Sequence, residues 1–257
     1  MKIIVTKSSE QLGRMAARQA AERINKCISE KGKARVLFST GASQFDMFKA
    51  LVRENVDWEK VAMFHLDEYV NLSPDHPASF RKYLNERFVS KVPLGEVHFV
   101  DGTEGGIAKL NAIVAEEPID LGMIGVGENA HIAFNDPPAD FDTETPFIIV
   151  ALDEACKRQQ VGEGWFAAID DVPKTAVTMS VRQIMKCGEI ISCVPYAVKA
   201  NAVRAMVESP IVNTVPASIL KTHPKITLYL DVDSAAKIDF ALAEAHIPCL
   251  DGYEEVS

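Results

Sequence analysis

Residues 119–138, IDLGMIGVGENAHIAFNDPP, constrain the fold more than any other stretch of the chain. The run Leu121-Gly122-Met123-Ile124 has the length and apolarity of a buried parallel strand. Gly125 and Gly127 follow, so the chain can turn sharply and bring its backbone close to a ligand. A dense polar cluster comes next: Glu128, Asn129, His131, Asn135 and Asp136. Open α/β sheets build their sites where strands empty into loops of this kind. A solvated connection can have the same composition, so the loop gains meaning only from its neighbours in the sheet.

Those neighbours are legible. Short β-branched or apolar runs at 1–7, 34–38, 61–66, 97–100 and 119–124 alternate with helical periodicity after Ser8 or Ser9, then over 44–53, 79–88 and 107–115. Beyond Pro138, strands are predicted at 147–152, 177–181, 190–194 and 226–230, with helices over 181–185, 196–207 and 234–245. Residues 157–165 read as polar and glycine-containing, and 247–257 as an unassigned tail. The pattern predicts an α/β fold: a single Rossmann-like, doubly wound, mostly parallel sheet with helices on both faces. Right-handed crossovers put the carboxyl ends of its strands on one edge. No repeat or change of composition marks a linker, so residues 1–257 are expected to form one domain.

The net charge of −9 over 257 residues argues against a nucleic-acid surface, which needs a basic stripe. It does not exclude an anionic substrate, because a few local cations and backbone amides can hold a phosphate. No apolar stretch is long enough to span a bilayer, and the apolar run at the start is too short for a signal peptide. The five cysteines (27, 156, 187, 193 and 249) have no CxxC spacing and read as reduced, mostly buried thiols. A cytoplasmic protein is expected. No His, Cys and carboxylate group shows metal-ligand spacing, so no metal is expected.

Two further strand ends carry candidate chemistry. Ser39-Thr40-Gly41-Ala42-Ser43 runs from a strand into a helix start, where free N–H groups and the helix dipole favour an anion; a simple capped turn has the same look. Asp67-Glu68-Tyr69 follows the third strand. Neighbours in an extended segment point opposite ways, so only one of Asp67 and Glu68 can face a given pocket. A partly buried carboxylate there can serve as a general base; the alternative is an acid that caps the next element. His131, with Asn129 before it and Asp136 after it, fits an acid/base whose tautomer is fixed by a carboxylate.

With these stretches in view, the chain resembles the glucosamine-6-phosphate deaminase/isomerase family, whose fold extends to 6-phosphogluconolactonases and ribose-5-phosphate isomerases. The resemblance rests on FSTGASQFDMFKAL (38–51), FHLDEYVNLSPDHPASFRKYL (64–84) and IDLGMIGVGENAHIAFNDP (119–137), with weaker matches at 172–185, 198–203 and 216–224. HIAFN looks like the deaminase branch. The resemblance implies Asp67 as the base that moves a proton between C2 and C1, and His131 as the group that opens the sugar ring. It implies Asp136 as a supporting carboxylate, where the family usually has glutamate, and Asn129 as an orienting group. Thr40, Gly41, Ala42 and Ser43 match the phosphate loop, and Lys199 a phosphate-binding lysine. Ala130 stands where the family has glycine. The family's N-[SA]-R-F-F segment, with its phosphate arginine, is replaced by CKRQQVGEGWF (156–166); Arg158 or Arg182 could take its place.

The implied reaction is aldose–ketose isomerisation with deamination of glucosamine 6-phosphate to fructose 6-phosphate and ammonia. It needs a base serving two adjacent carbons, an acid/base for ring opening and donors for an enediol-like intermediate, and no cofactor. The expected partner is a small sugar phosphate, with homo-oligomerisation left open. Two rivals stand beside it. A 6-phosphogluconolactonase would use the phosphate loop but needs no C2 base, and a non-catalytic sugar-phosphate sensor could dispense with base and histidine.

Overall fold

The computed structural model describes residues 1–152, 154–162, 164–248 and 250–256. β1 (Lys2–Thr6) leads through α1 (Ser9–Lys31) to β2 (Ala34–Phe38), and α2 (Phe45–Leu51) leads to β3 (Val61–His65). Then come β4 (Asp67–Tyr69), α3 (Phe80–Arg87), β5 (Glu96–His98), α4 (Glu104–Glu116) and β6 (Leu121–Ile124). The second half runs through β7 (Phe147–Ala151), α5 (Glu154–Gly162), β8 (Thr175–Met179), α6 (Val181–Ile184), β9 (Ile190–Val194) and α7 (Ala200–Glu208). β10 (Ile226–Asp231), α8 (Val232–Ala235), α9 (Phe240–His246) and β11 (Gly252–Val256) complete it.

Among the described residues eight strands form one sheet in the order β11-β1-β10-β9-β6-β2-β3-β5, and every adjacent pair is parallel. Side chains alternate across it as the two-residue period requires. Ile3 and Val5 join a core with Leu110 and Val114 of α4 and Val203 and Met206 of α7. Ile4 points the other way, into a core with Leu12, Ala16 and Ile24 of α1, Phe48 of α2 and Leu84 of α3. Helices therefore cover both faces, as predicted. The Ser8 hydroxyl accepts from the Gln11 amide at 3.3 Å, which makes Ser8 the cap of α1. Gly32, at φ 80°, ends that helix by donating to the Ile28 carbonyl at 2.8 Å.

Several expectations are corrected. β7 and β8 do not extend the main sheet; they join β4 in a separate antiparallel sheet, order β4-β8-β7. Their apolar runs specify strands but not a partner, and β7 is largely uncovered, with Ile149 exposed. Residues 154–162 are helical rather than an irregular polar stretch. The helix expected over 234–245 is broken, because Asp239 caps a new start by accepting from the Ala241 and Leu242 amides. The unassigned tail supplies β11, which pairs with β1 from Lys2↔Gly252 to Thr6↔Val256. Cys27, Cys156, Cys187 and Cys193 are buried free thiols, and Cys249 lies outside the described residues. No described helix is long and apolar enough to cross a membrane.

Candidate active site

The carboxyl ends of β2, β6 and β9 and the strand β4 open into one cavity of about 630 Å³. Thr40, Gly41, Ala42 and Ser43 line it from the β2 loop, Asp67 from β4, Gly127 and His131 from the β6 loop, and Lys199 from the β9 loop. The parallel sheet thus brings together segments more than 100 residues apart.

Asp67 and Glu68 divide as strand alternation predicts. Asp67 faces the cavity, 6 % exposed, and forms no ion pair among the described residues. Burial, and secondarily the Glu68 charge, hold its pKa well above the usual carboxylate value. Glu68 points away and is fully buried. Its carboxylate accepts from the Tyr69 amide (2.9 Å), the Ser79 hydroxyl (2.9 Å), the Phe80 and Arg81 amides (3.3 and 3.0 Å) and Arg81 Nε (3.3 Å). It sits on the amides that open α3, so the capping role weighed for this pair falls to Glu68. Asp67 is left to the cavity.

The β6 loop folds back on itself: the Gly127 amide donates to the His131 carbonyl at 2.9 Å and the Ala130 amide to the Gly127 carbonyl at 3.0 Å. Ala130 and Ala133 take φ of 64° and 53°, a region that side chains rarely occupy and that a glycine adopts without strain. His131 Nδ1 lies 3.0 Å from Asp136 Oδ1, a close contact whose direction departs from an aligned hydrogen bond. Asn129 Nδ2 donates to the same oxygen at 3.0 Å, and Asn129 Oδ1 accepts from the His131 amide at 3.2 Å. Burial would raise the Asp136 carboxyl, but His131, Asn129 and the Cys156 thiol bonded to it leave its pKa below the usual value. The carboxylate therefore stays ionised beside the imidazole. Asn135, from the same polar cluster, is structural. Its Nδ2 donates to the Ile132 and Met179 carbonyls, both at 2.9 Å, and latches the loop to β8.

The β2 loop is fixed from two sides. Tyr83 of α3 donates its hydroxyl to the Gly41 carbonyl at 2.8 Å, and Gln44 Nε2 donates to the Cys193 carbonyl of β9 at 3.3 Å. A side chain at Gly125 would stand 3.3 Å from Gln44 Nε2, so this glycine lets the two loops touch. Around Lys199 the chain departs from the predicted helix. Tyr196 has φ 81°, and its amide donates to both Asp231 carboxylate oxygens at 2.9 and 3.1 Å. The helix proper starts only at Ala200.

Arg158 does not reach the cavity. Its Nη2 pairs with Glu154 Oε2 at 2.5 Å on the exposed side of α5, the usual partner of an i,i+4 helix pair. Arg182 is likewise turned to Glu144, at 3.2 Å, and Asp142, at 3.7 Å. Asn129 stands behind Asp136 rather than in the cavity wall. Sequence reasoning missed Arg87, Gln160 and Tyr196, which do line the cavity. For Arg87 a signal existed: it follows Tyr83 by four residues, one turn further along the same side of α3. Among the described residues no His, Cys, Asp and Glu group is arranged to hold a metal ion.

Comparison with known proteins gives a consistent result. A family model for glucosamine-6-phosphate isomerases and 6-phosphogluconolactonases matches residues 7–228. A glucosamine-6-phosphate deaminase of Lactobacillus delbrueckii subsp. bulgaricus is 36% identical over 92% of this chain and 99% of its own length. The solved structure of a monomeric glucosamine-6-phosphate deaminase superposes with a TM-score of 0.81 at 29% identity, over 92% of this chain and all of the other. A 6-phosphogluconolactonase from Thermotoga maritima shares the fold with a TM-score of 0.73 at 17% identity, over 90% of this chain and 100% of its own. With the family model running through all three site loops and relatives matching along most of its length, the chain is an enzyme belonging to the family of glucosamine-6-phosphate isomerases and 6-phosphogluconolactonases.

Proposed function

We propose that this chain converts glucosamine 6-phosphate and water to fructose 6-phosphate and ammonia. The observation that carries the reading is the Asp67 carboxyl, buried without an ion-pair partner among the described residues, in the same cavity as His131 with its Asp136. A base in that setting is not neutralised by a cation and is tuned toward working pH.

In this scheme His131 moves a proton between the anomeric hydroxyl and the ring oxygen, which opens the pyranose. Asp67 takes the proton from C2; the electron pair of that bond becomes the C1–C2 double bond of an enolamine, while the C1 oxygen gains a proton. Asp67 then returns its proton to C1, leaving an imine at C2. Water adds there, the C2–N bond breaks, and ammonia leaves with the ketone formed. Thr40 to Ser43 and Lys199 would hold the phosphate. Relatives at 30% identity and above carry the deaminase name, and the lactonases resemble the chain in fold at 16–17% identity, which favours deamination over lactone hydrolysis.

The test is ammonia release and fructose 6-phosphate formation from glucosamine 6-phosphate, with native protein and Asp67→Asn side by side. Turnover by the native protein is expected to fall by roughly a thousandfold in the variant. A folded native protein that releases no ammonia overturns the reading.

A further inference from the structure

We propose that Arg87 supplies the guanidinium that grips the substrate phosphate, in place of the arginine that the 156–166 segment does not bring to the cavity. The proposal rests on the sugar-phosphate reading above and adds a residue to it. Arg87 ends α3 and lines the cavity. Its guanidinium carbon lies 3.7 Å from the centre of the Phe45 ring and 5.2 Å from that of Tyr83. These two rings stack on each other at 5.7 Å and 24°. Tyr83 is bonded through its hydroxyl to Gly41, and Phe45 begins the helix that the Thr40–Ser43 loop enters. Arg87 is therefore attached to the phosphate-loop side of the cavity by two aromatic groups.

Stacking holds the plane of a guanidinium while leaving its N–H groups available at the edge. Among the described residues no carboxylate lies within ion-pair distance of Arg87, whereas Arg158 and Arg182 are both engaged by acids. A planar fork with free donors matches two phosphate oxygens at once. The need for such a group is real in a chain of net charge −9, where a dianion gains nothing from the overall field.

The experiment compares native protein with Arg87→Gln and Arg87→Lys. Inorganic phosphate binding is measured by calorimetry, KM and kcat with glucosamine 6-phosphate, and unphosphorylated glucosamine as a weak competitor. Arg87→Gln is expected to weaken phosphate binding and raise KM by about tenfold or more, with kcat within about threefold. Glucosamine inhibition should be unchanged. Arg87→Lys should recover part of the loss, since it keeps the charge without the fork. Equal phosphate affinity in native and Arg87→Gln proteins overturns the proposal. So does a loss equally large for unphosphorylated glucosamine, which would mean that Arg87 only shapes the wall. The phosphate arm needs no turnover: weakened phosphate binding in Arg87→Gln with no ammonia from the native protein would leave this inference standing and remove the deaminase reading.

Discussion

The imidazole of His131 lies against the α-carbon of Gly127 so closely that a methyl group there would stand 2.2 Å from Nε2 and 2.3 Å from Cε1. Glycine at 127 is thus required by the ring and not only by the turn. Gly127→Ala forces the imidazole to rotate away from Asp136, while the buried strand before it is untouched. A misplacement of about 1 Å at a reacting group can cost on the order of a hundredfold in rate. Gly127→Ala is expected to lose that much kcat with little change in melting temperature. Steady-state kinetics beside thermal unfolding check this, and native-like kcat would show that the ring can move without consequence.

Asp67 should carry a stability cost. Its folded-state pKa is raised, so the native chain holds this proton to higher pH than the unfolded chain does. The associated stability is fully present below the ordinary carboxylate value and is lost as pH rises through the folded one. At neutral pH the ionised carboxylate therefore destabilises the fold, and Asp67→Asn should gain on the order of 1 kcal/mol as it loses activity. That gain should shrink toward about pH 4, near the ordinary carboxylate value, where the native carboxyl is protonated as well. Melting temperatures of both proteins at neutral and at this acid pH decide it; a difference independent of pH would count against a raised Asp67.

Glu68 is the opposite case. Its carboxylate accepts five hydrogen bonds and pairs with Arg81, whose side chain is 15% exposed. Glu68→Ala leaves a largely buried cation and the first amides of α3 without their acceptor. Breaking a buried pair in this way typically costs about 3–5 kcal/mol. Denaturant unfolding should register a loss of that order, and a loss under about 1 kcal/mol would show that Arg81 finds another partner.

Strand alternation sorts Asp67 from Glu68 in principle from the sequence alone, since a two-residue period allows one cavity-facing acid. The glycine turn after Ile124 likewise announces a loop that approaches its neighbours closely, and it does, at Gln44 and His131. Tertiary pairing is not legible in this way. β7 and β8 have the composition of sheet strands, and nothing local says that they pair with β4 rather than with the main sheet. Tyr196 falls within a helical pattern, but its positive φ depends on Asp231, which lies 35 residues away and binds its amide. Arg158 occupies a suggestive position in a motif, yet a helix there offers it Glu154 one turn away.

The pH dependence of turnover should report the Asp67–Glu68 pair directly. In the proposed reaction Asp67 must be ionised to take the C2 proton, so the acid limb of kcat/KM is expected to follow its free-enzyme pKa. Burial first and the neighbouring Glu68 charge second place it above the ordinary carboxylate range. Asp136, held below that range, is already ionised across the window and does not shape the limb. The substrate phosphate has its own proton near about pH 6, which could produce a similar limb. Glu68→Gln separates the two. Removing the neighbouring negative charge lowers the Asp67 pKa and moves the limb to lower pH, whereas the phosphate titrates unchanged. A limb that stays in place in a folded, active Glu68→Gln protein would assign it to the substrate and take Asp67 out of the profile.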